Sequence, residues 1–329
     1  MNRLLCIGLL LFYTSLGAQQ LAIIDEGFNS SVRGLSVVND TVFWVSGSHG
    51  RVGYSLDGGE TIHWQTVKGY EAIDFRAVKA FDRYTAIIMG IDSPAYLLKT
   101  TDGGQTWREV YKNTAKGMFL DAMDFYDHNH GVVVGDAIDG RLFIMTTDDA
   151  GEHWEELEAG QRPLLDTGEA CFAASGSNIK MLSKDHYAII TGGQRSRLIY
   201  KNKSYVLPFK QGKETAGANG MAFKDDKTLM IVGGDFMQPD AKDGVTIFTH
   251  TAGRVFMAPQ LPANGYRSGV TFIKDNTWLA CGINGIDITE DNGLHWKSIS
   301  TTGFHTCAKA DNGSVIYLTG TNKLGKMTW

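Results

Sequence analysis

An all-β chain folded as a seven-bladed β-propeller of four-stranded antiparallel blades is the fold class this sequence predicts. Three observations predict it: a turn motif built on an acid recurs, its copies keep a period in the forties, and short β-rich runs repeat in step with them.

The clearest copy of the motif is KTTDGGQTW, residues 99–107, which follows the apolar run AYLL. Asp bonds to backbone groups of its own turn and Gly takes positive φ without steric cost, so the stretch reads as a tight turn between antiparallel strands. The pattern is Ser/Thr, any, Asp, any, Gly, any, Thr, Trp. It recurs at residues 55–61 with a delayed Trp64, and at residues 147–154 and 289–296 with His in place of Thr.

The four aspartates, Asp57, Asp102, Asp149 and Asp291, are 45, 47 and 142 residues apart, and the last step is close to three periods. Two further copies are therefore expected in decayed form. YKNK at residues 200–203 has Asn202 where the acid would stand, and THTAG at residues 249–253 keeps Thr and Gly without the acid or the Trp.

Between these turns lie runs such as FWV, AII, VVV, LMIV, WLA and VIYL, each preceded by a shorter run and a turn signal such as Asn39-Asp40 or Asp225-Asp226. Counting the runs gives seven blades. The last blade reaches the end of the chain with three strands, and LAII at residues 21–24 is expected to supply the fourth and close the ring, which removes exposed sheet edges.

The 39 glycines, 6 prolines and 11% aromatic residues suit one large β domain over residues 19–329. The net charge of −5 carries no basic footprint for nucleic acid. Residues 1–18 have the basic, apolar and small-residue regions of a secretory signal, with cleavage expected after Ala18, so export to the periplasm or beyond is expected and no membrane span in the mature chain. Cys171, Cys281 and Cys307 show no metal spacing; they read as buried thiols, with a Cys281 to Cys307 bridge as the alternative.

The repeated turn is similar to the Asp-box of sialidase-type propellers. The spacing, and a stretch such as HGVVVGDAIDGRLFIMTTDDAGEHW, resemble the photosystem II stability/assembly factor-like propellers and their relatives in non-photosynthetic bacteria. The resemblance implies a fold far more than an activity, because the box is an architectural device. Asp57, Asp102, Asp149 and Asp291 are accordingly read as structural.

Ligands of propellers usually bind at the mouth opposite those turns. Residues expected there from the starts of inner strands are Arg33, Arg76, Asp121, Glu169, Asn219, Tyr266, Arg267 and His305. His49, Asp92, Asp136, Asp139, Gln194, Arg195, Asp235 and Asn284 are expected from the loops between second and third strands. Three arginines in one cup suggest an anionic group on the ligand, since a guanidinium fork matches carboxylate, sulfate or phosphate.

Other patterns do not hold. GSHGRVG at residues 47–53 lacks the glycine spacing of a dinucleotide fingerprint and reads as a hairpin. Ser177 and Lys180 match Ser-x-x-Lys on a strand, where the two side chains point to opposite faces. None of the nine histidines has zinc spacing, so neither a metal nor a cofactor is expected.

The reading is a monomeric, exported binding or assembly module that offers a polar, Arg-containing cup to a protein or anionic saccharide. The alternative is a carbohydrate-active enzyme on an acidic glycan, with Asp121, Asp136 and Glu169 as acid/base groups and His305 in proton transfer. The chain departs from true sialidases, because Phe75-Arg76-Ala77-Val78 lacks the proline of their arginine motif.

Overall fold

A computed structural model of the protein describes residues 20–201 and 203–329. The expected export segment and Asn202 lie outside the described residues.

The strands pair antiparallel into six sheets, four with four strands, one with five and one with six. Middle strands such as Phe43–Gly47, Ala86–Gly90 and Thr277–Gly282 are buried along their whole length. Each is paired on both edges and covered on both faces, and so the sequence shows continuous apolar runs there. Outer strands such as Arg108–Asn113 are polar and half exposed. The core lies between neighbouring sheets: Ile87, Met89 and Leu97 of one pack on Leu120, Phe125, Val133 and Phe143 of the next.

Six sheets correct the expected seven. The cause is the 16-residue strand Ala22–Val37, which pairs through Leu35 and Val37 with Phe43–Gly47 and through Ala22 and Ile23 with Lys326 and Gly325. Gly27 and Asn29 take positive φ within it and let it bend without ending. The runs counted as first and last blades are thereby fused into the six-stranded sheet. The chain also doubles back inside Val315–Thr328: Asn322 has φ 55, and the Trp329 amide donates to Ser314 O at 2.9 Å.

The four recurrent turns share one hydrogen-bond pattern. The hydroxyls of Ser55, Thr100, Thr147 and Thr289 each donate to the Asp two residues on, at 2.8 Å in every case. The same oxygens accept the amides of Gly59, Gly104, Gly151 and Gly293 at 2.9–3.1 Å. Each Asp accepts the amide four residues further, from Thr61, Thr106, His153 or His295. The Thr106 hydroxyl and amide hold the Asp102 carboxyl down to about 2.

The decayed copy at residues 249–253 keeps the arrangement by another route. Thr251 stands in for the acid, meeting the Thr249 hydroxyl at 3.0 Å and accepting the Val255 amide at 2.9 Å.

Cys171, Cys281 and Cys307 are buried free thiols. Among the described residues no helix is long and apolar enough to cross a membrane, and no group of three or more His, Cys, Asp or Glu is placed to hold a metal ion.

Candidate functional site

The innermost strands, among them Phe75–Ala80, Leu120–Phe125, Ala216–Phe223 and Thr306–Lys309, succeed one another around a central channel that is open at two ends. The space at the ends of these strands is the larger, about 880 Å³, and includes Lys79, Asp124, Lys180 and Lys309. Much of its charge is already spent: Lys180 lies 3.3 Å from Asp124, and Lys309 donates to the carbonyls of Ala310, Asp311 and Gly313.

The space near the strand starts is about 400 Å³ and combines charge with an aromatic wall. Arg33, Arg76, Asp121, Asn219, Tyr266 and His305 of the expected set line it. Arg76 and Asp121 are the second residues of their inner strands, Tyr266 and His305 come just before theirs, and Arg33 and Asn219 lie within longer strands. Phe119, Phe172, Phe236 and Ile283 complete the wall.

Arg33 Nη1 donates to Ala174 O at 3.0 Å, and Arg76 Nε donates to Asp74 Oδ2 at 2.8 Å. These contacts use a small part of the ten N–H groups that two guanidiniums carry. Burial and the neighbouring Arg76 lower the Arg33 pKa, so the pair repels in a site with little solvent.

Asp121 is 1% exposed, and neither carboxyl oxygen accepts a well-formed hydrogen bond; the Ala173 amide offers only a weak counterweight. Asp136 lies just past Gly135, the residue paired with Leu120 on the next strand. Burial, then the proximity of Asp136, push the Asp121 carboxyl well above the ordinary range, and burial pushes Asp136 up to about 6. Burial and the nearby arginines hold His305 down to about 3, so it is neutral. Its Nε2 lies between the hydroxyls of Ser31 and Thr321, and its Nδ1 is unpartnered. Tyr266 donates its phenol proton to Asn219 Oδ1 at 2.8 Å.

Three expected ligand groups are committed elsewhere. Arg267 is fully buried and bonds to Asp287, Asn284 and the carbonyls of Tyr266 and Asn264. Glu169 is held by Arg197 at 2.7 and 2.5 Å, by the Thr191 hydroxyl and by the Asp166 amide. Asp235 accepts the Met237 amide and lies 3.6 Å from Lys213, fixing a turn that brings Phe236 into the wall.

The remaining loop residues, His49, Asp92, Asp139, Gln194, Arg195 and Asn284, are outside the lining, as is Asp136. Arg195 pairs with Asp166, and Asn284 bonds to Pro239 O and Asp240. Asp121 is the one carboxyl of the lining among the described residues; Asp136, which interacts with it, lies outside that lining. Ser177 meets Ser175 while Lys180 meets Asp124, which leaves no Ser/Lys pair.

The aromatic wall is the part that the polar residues do not announce. Phe119 stands two positions before Asp121 and Phe236 directly after Asp235.

No protein-family model matches the chain, and no curated protein matches it. Solved structures do. The chain is similar to a structure described as YCF48 bound to D1 peptide, at 13% identity and TM-score 0.64, covering 95% of this chain and 96% of that one. YCF48 from Cyanidioschyzon merolae matches at 16% identity and TM-score 0.63, covering 94% and 98%. The RRP9 WD40 repeats match at 11% and 0.65, covering 95% and 98%. At these identities the likeness shows the fold, a β-propeller.

Proposed function

We propose that the protein is an exported, protein-binding propeller module whose Arg-containing cup receives an acidic group of its partner. The observation that carries the reading is the pair Arg33 and Arg76, half-buried and close enough to repel, with most of their donors unspent and, among the described residues, no carboxylate paired with Arg33. Buried charge of one sign is costly until a counter-charge arrives, and a guanidinium pair suits a carboxylate bidentately. The rim supports a protein ligand: Phe236, Met237 and Ile283 are exposed apolar side chains at or beside the cavity. The likeness to a propeller described as bound to a peptide agrees with this use of the fold.

The test compares the parent with an Arg33→Ala, Arg76→Ala double variant in retaining partners from a cell-envelope extract and in binding acidic peptides. The parent is expected to retain a partner that the double variant loses at an unchanged melting temperature, with binding that weakens as salt rises. Equal retention by both proteins overturns the reading.

A further inference from the structure

The buried polar atoms of the cup do not all ask for an anion. Asp121 Oδ1 and Oδ2 and His305 Nδ1 are buried, belong to the cavity wall and have no hydrogen-bond partner. Each of these atoms can accept a proton donor: His305 when its Nε2 carries the proton toward Ser31 or Thr321, and Asp121 in its ionised form at both oxygens. Unpartnered buried acceptors are rare in folded proteins and costly, and here they share a space of about 400 Å³ with two guanidiniums most of whose donors are unspent.

A simple anion answers the arginines and leaves these acceptors bare. A simple cation does the reverse. We propose that the group received by the cup is zwitterionic, with a carboxylate on Arg33 and Arg76 and an ammonium beside it on Asp121 and His305. This rests on the reading above and narrows it. The ammonium gives Asp121 a closer counter-charge, the carboxylate gives one to Arg33 and adds to Asp74 at Arg76, and Phe119, Phe172 and Phe236 supply an apolar wall for the rest of the ligand. Two sources carry this chemistry: a free α-amino acid with an apolar side chain, and an acid and amine close together on a partner segment.

Titration calorimetry on the purified protein separates them. The probes are L-phenylalanine, hydrocinnamate, which lacks the amine, and phenethylamine, which lacks the acid. Two capped peptides, acetyl-Glu-Gly-Lys-amide and acetyl-Glu-Gly-Gln-amide, form the second arm.

If the source is a free amino acid, phenylalanine binds about tenfold or more tightly than either single-charge analogue. If it is a partner segment, the lysine peptide exceeds the glutamine peptide by a similar factor. Asp121→Asn, nearly isosteric, is expected to abolish either advantage, with hydrocinnamate or the glutamine peptide bound at least as tightly as before because a carboxylate near Arg76 is removed; His305→Gln reduces the advantage in the same sense.

Equal binding with and without the amine, still lost in Arg33→Ala, overturns the zwitterion and leaves an acid-binding cup. An advantage that survives Asp121→Asn overturns it too. Binding that is indifferent to Arg33, or no binding by any probe, overturns both readings.

Discussion

Arg267 sets both Nε and a terminal nitrogen on one oxygen of Asp287, at 2.9 and 2.6 Å, with both side chains fully buried. The pair ties the start of an inner strand to the Gly285–Thr289 strand of the same sheet. It belongs to the frame that holds Tyr266 in the cup wall, because Arg267 Nη1 also donates to Tyr266 O at 2.7 Å.

Removing one partner of such a pair strands the other charge in the interior. Arg267→Ala is expected to destabilise the protein by about 3–5 kcal/mol, read from chemical unfolding. Arg33→Ala, at a half-buried position with a single carbonyl contact, is expected to leave the unfolding midpoint near that of the parent. Equal losses in the two variants contradict this division between frame and cup.

The turn hydroxyls make a second prediction. Thr100 is 1% exposed and serves both Asp102 and the Gly104 amide, so Thr100→Val leaves a buried amide without its acceptor and is expected to cost about 1–3 kcal/mol. Asp102 has a carboxyl held near 2, below its unfolded value of 3.8. Its contribution is therefore complete above pH 4 and lost as pH falls toward 2. Melting curves of Asp102→Ala should lie below the parent at pH 7 and converge with it near pH 2; a constant gap would show that the carboxylate is not the source.

Asp121 predicts the opposite sign. Its folded pKa is raised, so it favours folding only at low pH and costs stability as pH rises above its unfolded value. Asp121→Asn is expected to melt above the parent at pH 7, with the difference shrinking toward pH 4. A lower melting temperature at pH 7 would mean that the carboxyl has a structural partner. Stability given up at a polar cup is what a binding site commonly costs.

The first half of the Ala22–Val37 strand offers a test of ring closure. Trp64 Nε1 donates to Asp25 Oδ2 at 2.6 Å, and a Cβ on Gly59 would come within 2.6 Å of Ile24 Cδ1, so this segment packs on the first recurrent turn as well as pairing with Lys323 and Leu324. A chain beginning at Gly27 exposes the edge of the Val315–Thr328 strand and is expected to unfold at a markedly lower temperature and to aggregate. Unchanged melting would detach the segment from the stability of the ring.

The turns and the strands were legible in the sequence because their causes are local. A hydroxyl, a carboxylate and a glycine amide within four residues define each recurrent turn, and a run of apolar residues between turns defines a buried middle strand. The channel-facing positions of Arg33, Arg76 and Asp121 were legible for a related reason, since alternation along an inner strand fixes the face that a residue presents.

Tertiary structure alone decided which of those polar residues remained free. Arg267 and Glu169 resemble Arg33 and Asp121 in sequence, yet Asp287 and Arg197, 20 and 28 residues further along, neutralise them. It also decided that one strand would join the first and last runs into a single sheet, and that Thr251 would take the place of an aspartate. These outcomes depend on which side chains meet across strands, which the spacing along one strand does not encode; the period carries the fold, and the partners carry the site.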